Sequence, residues 1–385
     1  MLNRLLELVS LEMSPRPLAL VRIGIGLAVA TKGIDWVARL PPIATHQLGA
    51  GPSSAILASV VIGMWGLAAL GLITGWFARP AALVVSLMAL GLAVFDIRLY
   101  NQHLYLLASL CVPLSLSQCD RDLVFRRAPP VVMVPRWPAL VLMAQMSFVY
   151  GLGAIAKTSV DFVSGTVLFA VFSRQPVAAF AGDWLLDSSV LIPMSLAVIG
   201  CELFMALGSW RPSLRPWVLA IAGPLHLGMI ALLAISGLEV VRLMVFGALQ
   251  LIVLLFLFGP GWAGERVVLV WDDSCGFCAA WTRTFRRLDW LGVIRLVPLS
   301  DPAQYEHLGI AQAEAAHALQ LRLSDGARYG GYEAVRRISY LLPLTMLLGP
   351  WLSLPPVRYA GDRVYRRVAE SRTCALPAAA APANA

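Results

Sequence analysis

The chain has 385 residues, 59% of them apolar and only 14% charged, with a mean hydropathy of +0.75. Soluble domains run to roughly 45–50% apolar and about 25% charged, so this excess calls for a bilayer rather than a larger soluble core. The formal charge of +8 is spread evenly, 16 basic against 11 acidic residues before Pro260 and 14 against 11 after it; with no basic stripe interleaved with aromatics, no nucleic-acid partner is expected.

Met1 to Arg16 spaces its apolar residues helically but carries Glu7 and Glu12 and has no continuous apolar run. It reads as an interfacial amphipathic helix rather than a cleavable signal peptide. Eight apolar stretches follow, over 17–38, 54–76, 81–99, 103–118, 137–157, 189–208, 216–236 and 240–259. Each is about the length a helix needs to cross hydrocarbon, the fourth being short. The region 158–188 is apolar but broken by Gly, Pro and charge, and reads as re-entrant or interfacial; as a ninth span it would invert every side assigned downstream.

With the N-terminus inside, the inner loops carry Arg79, Arg121, Arg126, Arg127, Arg136, Arg211 and Arg215, and the outer loops Arg39, Arg98, Arg174 and Arg242. That asymmetry, with Arg4 and Arg16 ahead of the first span, places both termini in the cytoplasm.

After Pro260 the pattern becomes soluble α/β. Val267–Trp271 is a β-branched run suited to a buried strand. Asp272-Asp273-Ser274-Cys275-Gly276-Phe277-Cys278 follows, then a helix over 279–288 with Arg283, Arg286 and Arg287 on its polar face. Strands are predicted over 294–299 and 319–323, with a helix over 311–318 between them. Asp325-Gly326 marks a hairpin turn into 327–331, a helix starts at Tyr332, and the low-complexity tail 376–385 reads as disordered.

Strand, short loop, CxxC, helix is an order with chemical content. It puts Cys275 at a helix N-terminus, where exposed N–H groups and the dipole favour thiolate over thiol. Two intervening residues bring both sulfurs onto one helical turn, so that Cys275 attacks a disulfide and Cys278 resolves the mixed disulfide. A carboxylate at Asp272 or Asp273 would relay protons to the buried thiol. CxxC also serves as half of a zinc site, but no second CxxC or HxxxH pair follows, and His307 and His317 lie ten apart on separate elements. A pair with no chemistry is the third reading. Cys111, Cys119, Cys201 and Cys374 read as inert small apolar residues.

Ionisable residues within spans are costly and tend to mark sites or packing. Lys32 and Asp35, three apart, are expected to pair, and Arg22 and Glu202 to satisfy each other across helices. His103, Lys157 and His226 each have a bland reading: a helix-end lysine snorkels to the interface, and a buried histidine hydrogen-bonds a carbonyl.

Residues 265–373, from VVLVWDDSCGFC through LRLSDGARYGGYEAVRRISYLLP to VYRRVAESR, resemble the DCC thiol–disulfide oxidoreductase family. Asp272, Cys275 and Cys278 fall on its D-x-x-C-x-x-C signature, and Asp273 stands where the family usually has Gly. The resemblance implies a thioredoxin-like fold. Residues 14–258 are similar to the membrane domain of vitamin K-dependent γ-carboxylases and their bacterial relatives, the HTTM proteins. The similarity rests on LVRIGIGLAV, NQHLYLLASL, Lys157-x-x-x-Asp161-Phe162-x-x-Gly165 and the histidine of LHLGMI. It implies a shared Lys157, His103 and His226 site, at which the lysine takes a proton from a quinol and the histidines stabilise the reacting species. Glutamate carboxylation itself is not expected, because the carboxylases have two adjacent lysines where Lys157 stands alone.

The expected architecture is therefore an amphipathic helix (1–16), a multi-pass α-helical membrane domain of about eight spans (17–260), a thioredoxin-like α/β domain (265–375) and a tail. The expected function is a membrane-bound thiol–disulfide oxidoreductase in a bacterial inner membrane. Cys275, Cys278 and Asp272 would act in the soluble domain, and Lys157, His103 and His226 in the membrane domain. The CxxC pair needs no cofactor; a quinone or quinol in the membrane domain and a thiol or disulfide protein are its expected partners. One rival is a γ-carboxylase-like, quinol- and oxygen-dependent membrane enzyme with an accessory redox domain. The other is a non-enzymatic transporter or assembly scaffold.

Overall fold

The computed structural model describes residues 10–96, 99, 101–125, 133–173, 182–235, 240–257 and 267–371. Residues 1–9 of the expected amphipathic helix, the tail 376–385, Cys374, Arg98, Arg126, Arg127 and Arg174 lie outside the described residues. The chain divides into two compact units, Met1–Phe258 and Gly259–Ala385.

The described part of 1–16 corrects the expectation of a continuous helix. Strand β1 (Glu12–Met13) pairs antiparallel with β2 (Val134–Pro135), and Arg136 N–H donates to the Leu11 carbonyl at 2.8 Å. Pro15 disfavours helical backbone at Ser14, so the extended segment finds its hydrogen bonds in another strand.

Among the described residues a helix falls on each of the eight expected stretches, the first running on to Leu48, past its expected end at 38. These helices are α1 (Arg16–Leu48), α2 (Pro52–Thr74), α3 (Ala78–Phe95), α4 (Gln102–Leu116), α5 (Trp137–Ala156), and, after two short helices α6 (Val160–Val163) and α7 (Thr166–Phe172), α8 (Ser188–Gly208), α9 (Arg215–Ile235) and α10 (Val240–Leu257). Among the described residues, α1, α2, α3, α5 and α8 are long and apolar enough to cross a membrane, whereas α4 and the apolar part of α10 are shorter. Large apolar side chains such as Leu67, Leu70, Leu87 and Leu207 are exposed on these helices, as a lipid-facing surface requires.

Helix α1 packs against α2 and α10. Leu18, Val21, Ile25, Val29, Lys32, Trp36 and Leu40 recur at three- and four-residue steps and are buried, one helical face turned inward. Between apolar helices in lipid the attraction is close packing, which small residues permit. A Cβ on Gly24 would lie 2.7 Å from Ile252, and one on Gly26 2.9 Å from the Leu72 Cβ and 3.0 Å from the Ile73 backbone nitrogen. Gly26→Val is therefore expected to cost about 1–3 kcal/mol by overpacking, read as an earlier thermal unfolding midpoint in micelles. A midpoint equal to that of the unaltered protein would show that α1 and α2 are free to separate.

In the second unit, β3 (Val267–Trp271) leads through α11 (Gly276–Leu288) into β4 (Ile294–Pro298), parallel to it. Helix α12 (Gln312–His317) then precedes β5 (Gln320–Arg322) and β6 (Arg328–Gly330), and the sheet order is β4-β3-β5-β6, with β5 antiparallel to both β3 and β6. The hairpin turns as expected, with Gly326 at φ 90°, a left-handed conformation that glycine adopts freely. Helices α13 (Gly331–Ser339), α14 (Pro343–Met346), α15 (Gly349–Leu352) and α16 (Pro355–Glu370) follow.

Side chains alternate along β3. Val267 and Leu269 pack with Phe285, Leu321, Ala334 and Ile338 on one face, while Val268 and Val270 pack with Val297, Leu299, Tyr305 and Ala315 on the other. A strand covered on both faces reads as an unbroken apolar run, which is why VVLVW shows no polar alternation. Helix α11 starts at Gly276, three residues before the expected 279, because Cys275 takes an extended conformation (φ −97°, ψ 115°) as its N-cap. The first turn thus includes Gly276, Phe277 and Cys278.

Candidate functional site

The loop that delivers the two cysteines is held at both aspartates. Asp272 Oδ1 accepts from Ser274 N–H at 3.0 Å and from Ser274 Oγ at 2.6 Å, a local turn closed by a side chain. Asp273 reaches across to the end of β4, accepting from Ser300 N–H at 3.1 Å and Ser300 Oγ at 2.6 Å. Cys275 follows, 5% exposed, and its carbonyl accepts from Ala279 N–H at 2.9 Å to open α11. Cys278 is half-buried one turn along. The first turn of α11 carries no acidic side chain and the last carries Arg286 and Arg287, so the helix's own charges do not offset the positive end of its dipole at Cys275. Phe277 and Trp281, stacked edge-on with centroids 6.3 Å apart, expose apolar surface beside the pair.

Burial pushes the Asp273 carboxyl up, but the Ser300 hydroxyl and amide donors outweigh it and hold the group below the usual carboxylate range. A pKa lower in the folded state means stabilisation that is present at neutral pH and lost as pH falls below about 4. Ser300→Ala is expected to destabilise the second unit by about 0.5–1 kcal/mol at pH 7, modest because Asp273 is largely exposed. Urea unfolding should show that difference vanish in acid; a difference persisting below pH ~3 would trace it to packing instead.

In the membrane unit the ionisable residues fall into two groups. Lys157, at the C-terminal cap of α5, places Nζ 3.0 Å from both carboxylate oxygens of Glu202 on α8 and 3.4 Å from the Gly153 carbonyl. A Cβ at Gly153 would stand 3.1 Å from Glu202 Oε2. At Gly165 (φ 82°) one would stand 2.8 Å from the Leu191 Cβ, so that glycine lets α7 approach α8, while Gly153 leaves room for the ion pair. Seven residues before Lys157 on the same helix, Tyr150 places its hydroxyl 3.4 Å from His226 Nε2. The Gln250 amide lies 3.0 Å from that nitrogen, and His226 Nδ1 is 2.8 Å from the Ala222 carbonyl. The two ring nitrogens each face a carbonyl oxygen, Nδ1 that of Ala222 and Nε2 that of the Gln250 amide. A neutral imidazole donates its one N–H to one of them, and the tyrosine O–H can donate to Nε2 only when that nitrogen carries no proton. All three side chains are buried.

The second group is on α1 and α4. Asp35 pairs with Lys32, as their spacing predicts, and also accepts from Arg39 Nε at 2.6 Å. His103, buried one residue into α4, has Lys32, Asp35 and Arg39 as its charged neighbours. Among the described residues no hydrogen bond links His103 to Lys157 or His226.

The expected Arg22–Glu202 pair is not made. Arg22 Nη2 donates instead to the Leu123 carbonyl at 2.7 Å, its guanidinium lying against the left-handed turn at Gly75. Glu202 belongs to Lys157 because α8 packs against α5. No cluster of three His, Cys, Asp or Glu side chains among the described residues is placed to hold a metal.

Two family models match. That of the HTTM domain covers residues 49–258, more than half of the chain. The chain belongs to the HTTM domain family. In this HTTM protein residues 269–376 match a second model, DCC1-like thiol-disulfide oxidoreductase, so the domains stand in the expected order. No curated protein and no solved structure matches. His103, Lys157, Glu202 and His226 lie inside the HTTM match, while Arg22, Lys32 and Asp35 precede it; Asp272, Cys275 and Cys278 lie inside the DCC1-like match. The DCC1-like domain supports a redox role for this HTTM protein in general terms.

Sequence reasoning missed Glu202 as the partner of Lys157, and missed Tyr150, Gln250 and Ser300 altogether. Gln250 carried a signal, being the one polar side chain in the apolar run 243–257. Tyr150 and Ser300 carried none, since either is ordinary where it stands.

Proposed function

We propose that this HTTM protein is a membrane-bound thiol–disulfide oxidoreductase acting through Cys275 and Cys278. The observation that carries the reading is the placement of Cys275 as N-cap of α11, with Cys278 in the first turn, inside a parallel β-α-β unit. A CxxC beside such a unit suits a thioredoxin-like domain, and the hairpin β5-β6 completing the sheet agrees with that. In the forward direction Cys275 Sγ, as thiolate, attacks a substrate disulfide. One S–S bond breaks as the mixed disulfide forms, and the leaving thiolate takes up a proton. Cys278, deprotonated, then attacks Cys275 Sγ. The substrate leaves as a dithiol carrying two electrons, and the Cys275–Cys278 disulfide remains. Microscopic reversal oxidises a substrate dithiol. The substrate is a protein or peptide that can lie on the exposed Phe277–Trp281 surface, and Asp272 acts by fixing the loop and exchanging protons beside the pair.

We read the eight helices as eight spans with both termini on the cytoplasmic face, consistent with the basic residues of the loops. A quinone is a two-electron carrier and so matches a dithiol in stoichiometry. Lys157, Tyr150 and His226, however, direct their polar atoms at Glu202, Gln250, Ala222 and each other. Arranged so, they do not fit a quinone carbonyl.

The test is to express full-length Cys278→Ser and search for mixed disulfides that reducing agent releases. Capture of one recurrent partner through Cys275 is expected. No trapped partner, together with a wild-type pair that never forms a reducible disulfide, would overturn the reading. Lys157→Met should leave exchange by the soluble unit within about twofold of wild type, since an exchange of thiols needs only the two sulfurs and a partner.

A further inference from the structure

Basic charge is not spread evenly over the second unit. Residues 267–330 carry six arginines against seven acidic side chains, whereas 331–370 carry six arginines against three, with no Asp or Glu between Glu333 and Asp362. The helices of that later stretch also leave apolar side chains uncovered. From α14 through α15, Leu344, Leu348 and Trp351 recur at steps of four and three, the spacing of one helical face. Leu348 is 54% exposed and Trp351 48%. Leu354 and Val357 carry the exposed apolar series on into α16.

Helix α16 is seated along one edge. A Cβ on Gly361 would stand 2.3 Å from the Tyr332 ring, and the Tyr365 hydroxyl accepts the Leu319 N–H at 3.1 Å, so positions 361 and 365 face the body of the unit. Val364, three residues from Gly361, is nevertheless 59% exposed. On the outer side the Arg363 guanidinium lies 4.3 Å from the centroid of the exposed Tyr359 ring, and Arg366 pairs with Asp362 at 2.8 Å. Exposed aliphatic side chains, a tryptophan, a tyrosine and surplus arginines on one run of helices are the make-up of a segment that lies in a lipid interface. The chain itself holds this unit near lipid. Nine residues, 258–266, separate the end of α10 from the start of β3, and nine residues reach at most about 30 Å when extended. So tethered, even weak contacts with the bilayer act at high effective concentration.

We propose that the α14–α16 face of the second unit docks on the surface of an anionic bilayer. Leu348, Trp351, Val357 and Val364 enter the boundary between headgroups and acyl chains, and Arg363 and Arg367 meet lipid phosphates above it. A second copy of this chain packed on the same face would set like charges against one another. Such docking is independent of the thiol chemistry, and it turns one fixed face of the unit toward lipid.

The test uses full-length protein in vesicles of phosphatidylglycerol mixed with phosphatidylcholine, or of phosphatidylcholine alone. Photoreactive benzoylphenylalanine replaces Trp351, Val364 or Asp325, the last an exposed acidic position in the β5–β6 turn, and adducts are read by mass spectrometry of the digested chain. In the mixed vesicles, lipid adducts at 351 and 364 are expected at least about fivefold above those at 325. They should fall at least about threefold in about 1 M salt, where charges are screened within about 3 Å. Arg363→Gln combined with Arg367→Gln should lower them by about the same factor. Adducts on a polypeptide in place of lipid would overturn the proposal and assign the face to a protein. Lipid yields as high at 325, or as high in phosphatidylcholine alone, would overturn it too. Should a photoreactive variant not fold, hydrogen exchange of the unaltered protein in the same two kinds of vesicle decides. Amides of 343–367 exchanging at least about fivefold more slowly in the mixed vesicles would support docking, and equal exchange would overturn it.

Discussion

Cys275→Ser is expected to lower thiol–disulfide exchange by the full-length protein by about three orders of magnitude, whereas Cys278→Ser stops turnover after the first attack. The reasoning follows from the nucleophile. A serine hydroxyl in the same N-cap position stays protonated at neutral pH, and no mixed disulfide can form on oxygen. The helix N-terminus contributes only about 0.3–1 kcal/mol to favouring the anion, a few-fold in thiolate population, so replacing the sulfur outweighs any adjustment of its surroundings. Reduction of a small aromatic disulfide by the purified protein, followed by release of the coloured thiol, measures the first variant. Labelling of Cys275 after denaturation measures how much of the second is held in mixed disulfide. Retention of a tenth or more of the wild-type rate by Cys275→Ser would move the chemistry away from this helix.

The second large effect concerns the ion pair in the membrane unit. Glu202→Met is expected to destabilise that unit by about 2–4 kcal/mol, because Lys157 would remain as an uncompensated charge in a medium that solvates it poorly. The lower end allows for the lysine's partial exposure, 31% against 15% for Glu202. Lys157→Met should cost a similar amount by orphaning the carboxylate. The double variant should return to within about 1 kcal/mol of wild type, since two apolar side chains of matching size fill the gap without a charge to solvate. Thermal unfolding in micelles, followed by near-ultraviolet circular dichroism, gives the cycle. Additive losses in the double variant would mean that the two side chains act separately, and that the 3.0 Å approach carries no coupling. A thiol-exchange assay on the same samples should show no change, as the two cysteines lie in the other unit.

Much of this protein was legible in its residues because the relevant signals are local. A run of some twenty apolar residues finds its most stable place as a helix in lipid, so a helix lies on each stretch that hydropathy marked, although the first runs on to Leu48, past its expected end at 38. VVLVW followed by CxxC and an arginine-rich helix could be read as strand, turn and helix, since period and caps are properties of neighbouring positions. The Lys32–Asp35 pair was legible for the same reason, both residues being on one helix three apart. Pro15 was the local signal that the first sixteen residues could not be one helix, yet the partner strand at Val134–Pro135, more than a hundred residues away, gave no sign of itself.

The residues alone thus determined the two-part organisation, the membrane character of the first part and the dithiol at a helix start in the second, since each follows from chain-local periodicity or spacing. Tertiary structure alone decided which distant side chains meet. It gave Glu202 to Lys157 rather than to Arg22, joined Tyr150, His226 and Gln250 from three helices, set His103 beside the charges of α1, and tied Asp273 to Ser300. Such pairings depend on which helix faces and strand ends pack together, a choice made by the summed close contacts of many side chains, to which no single position in the chain bears witness.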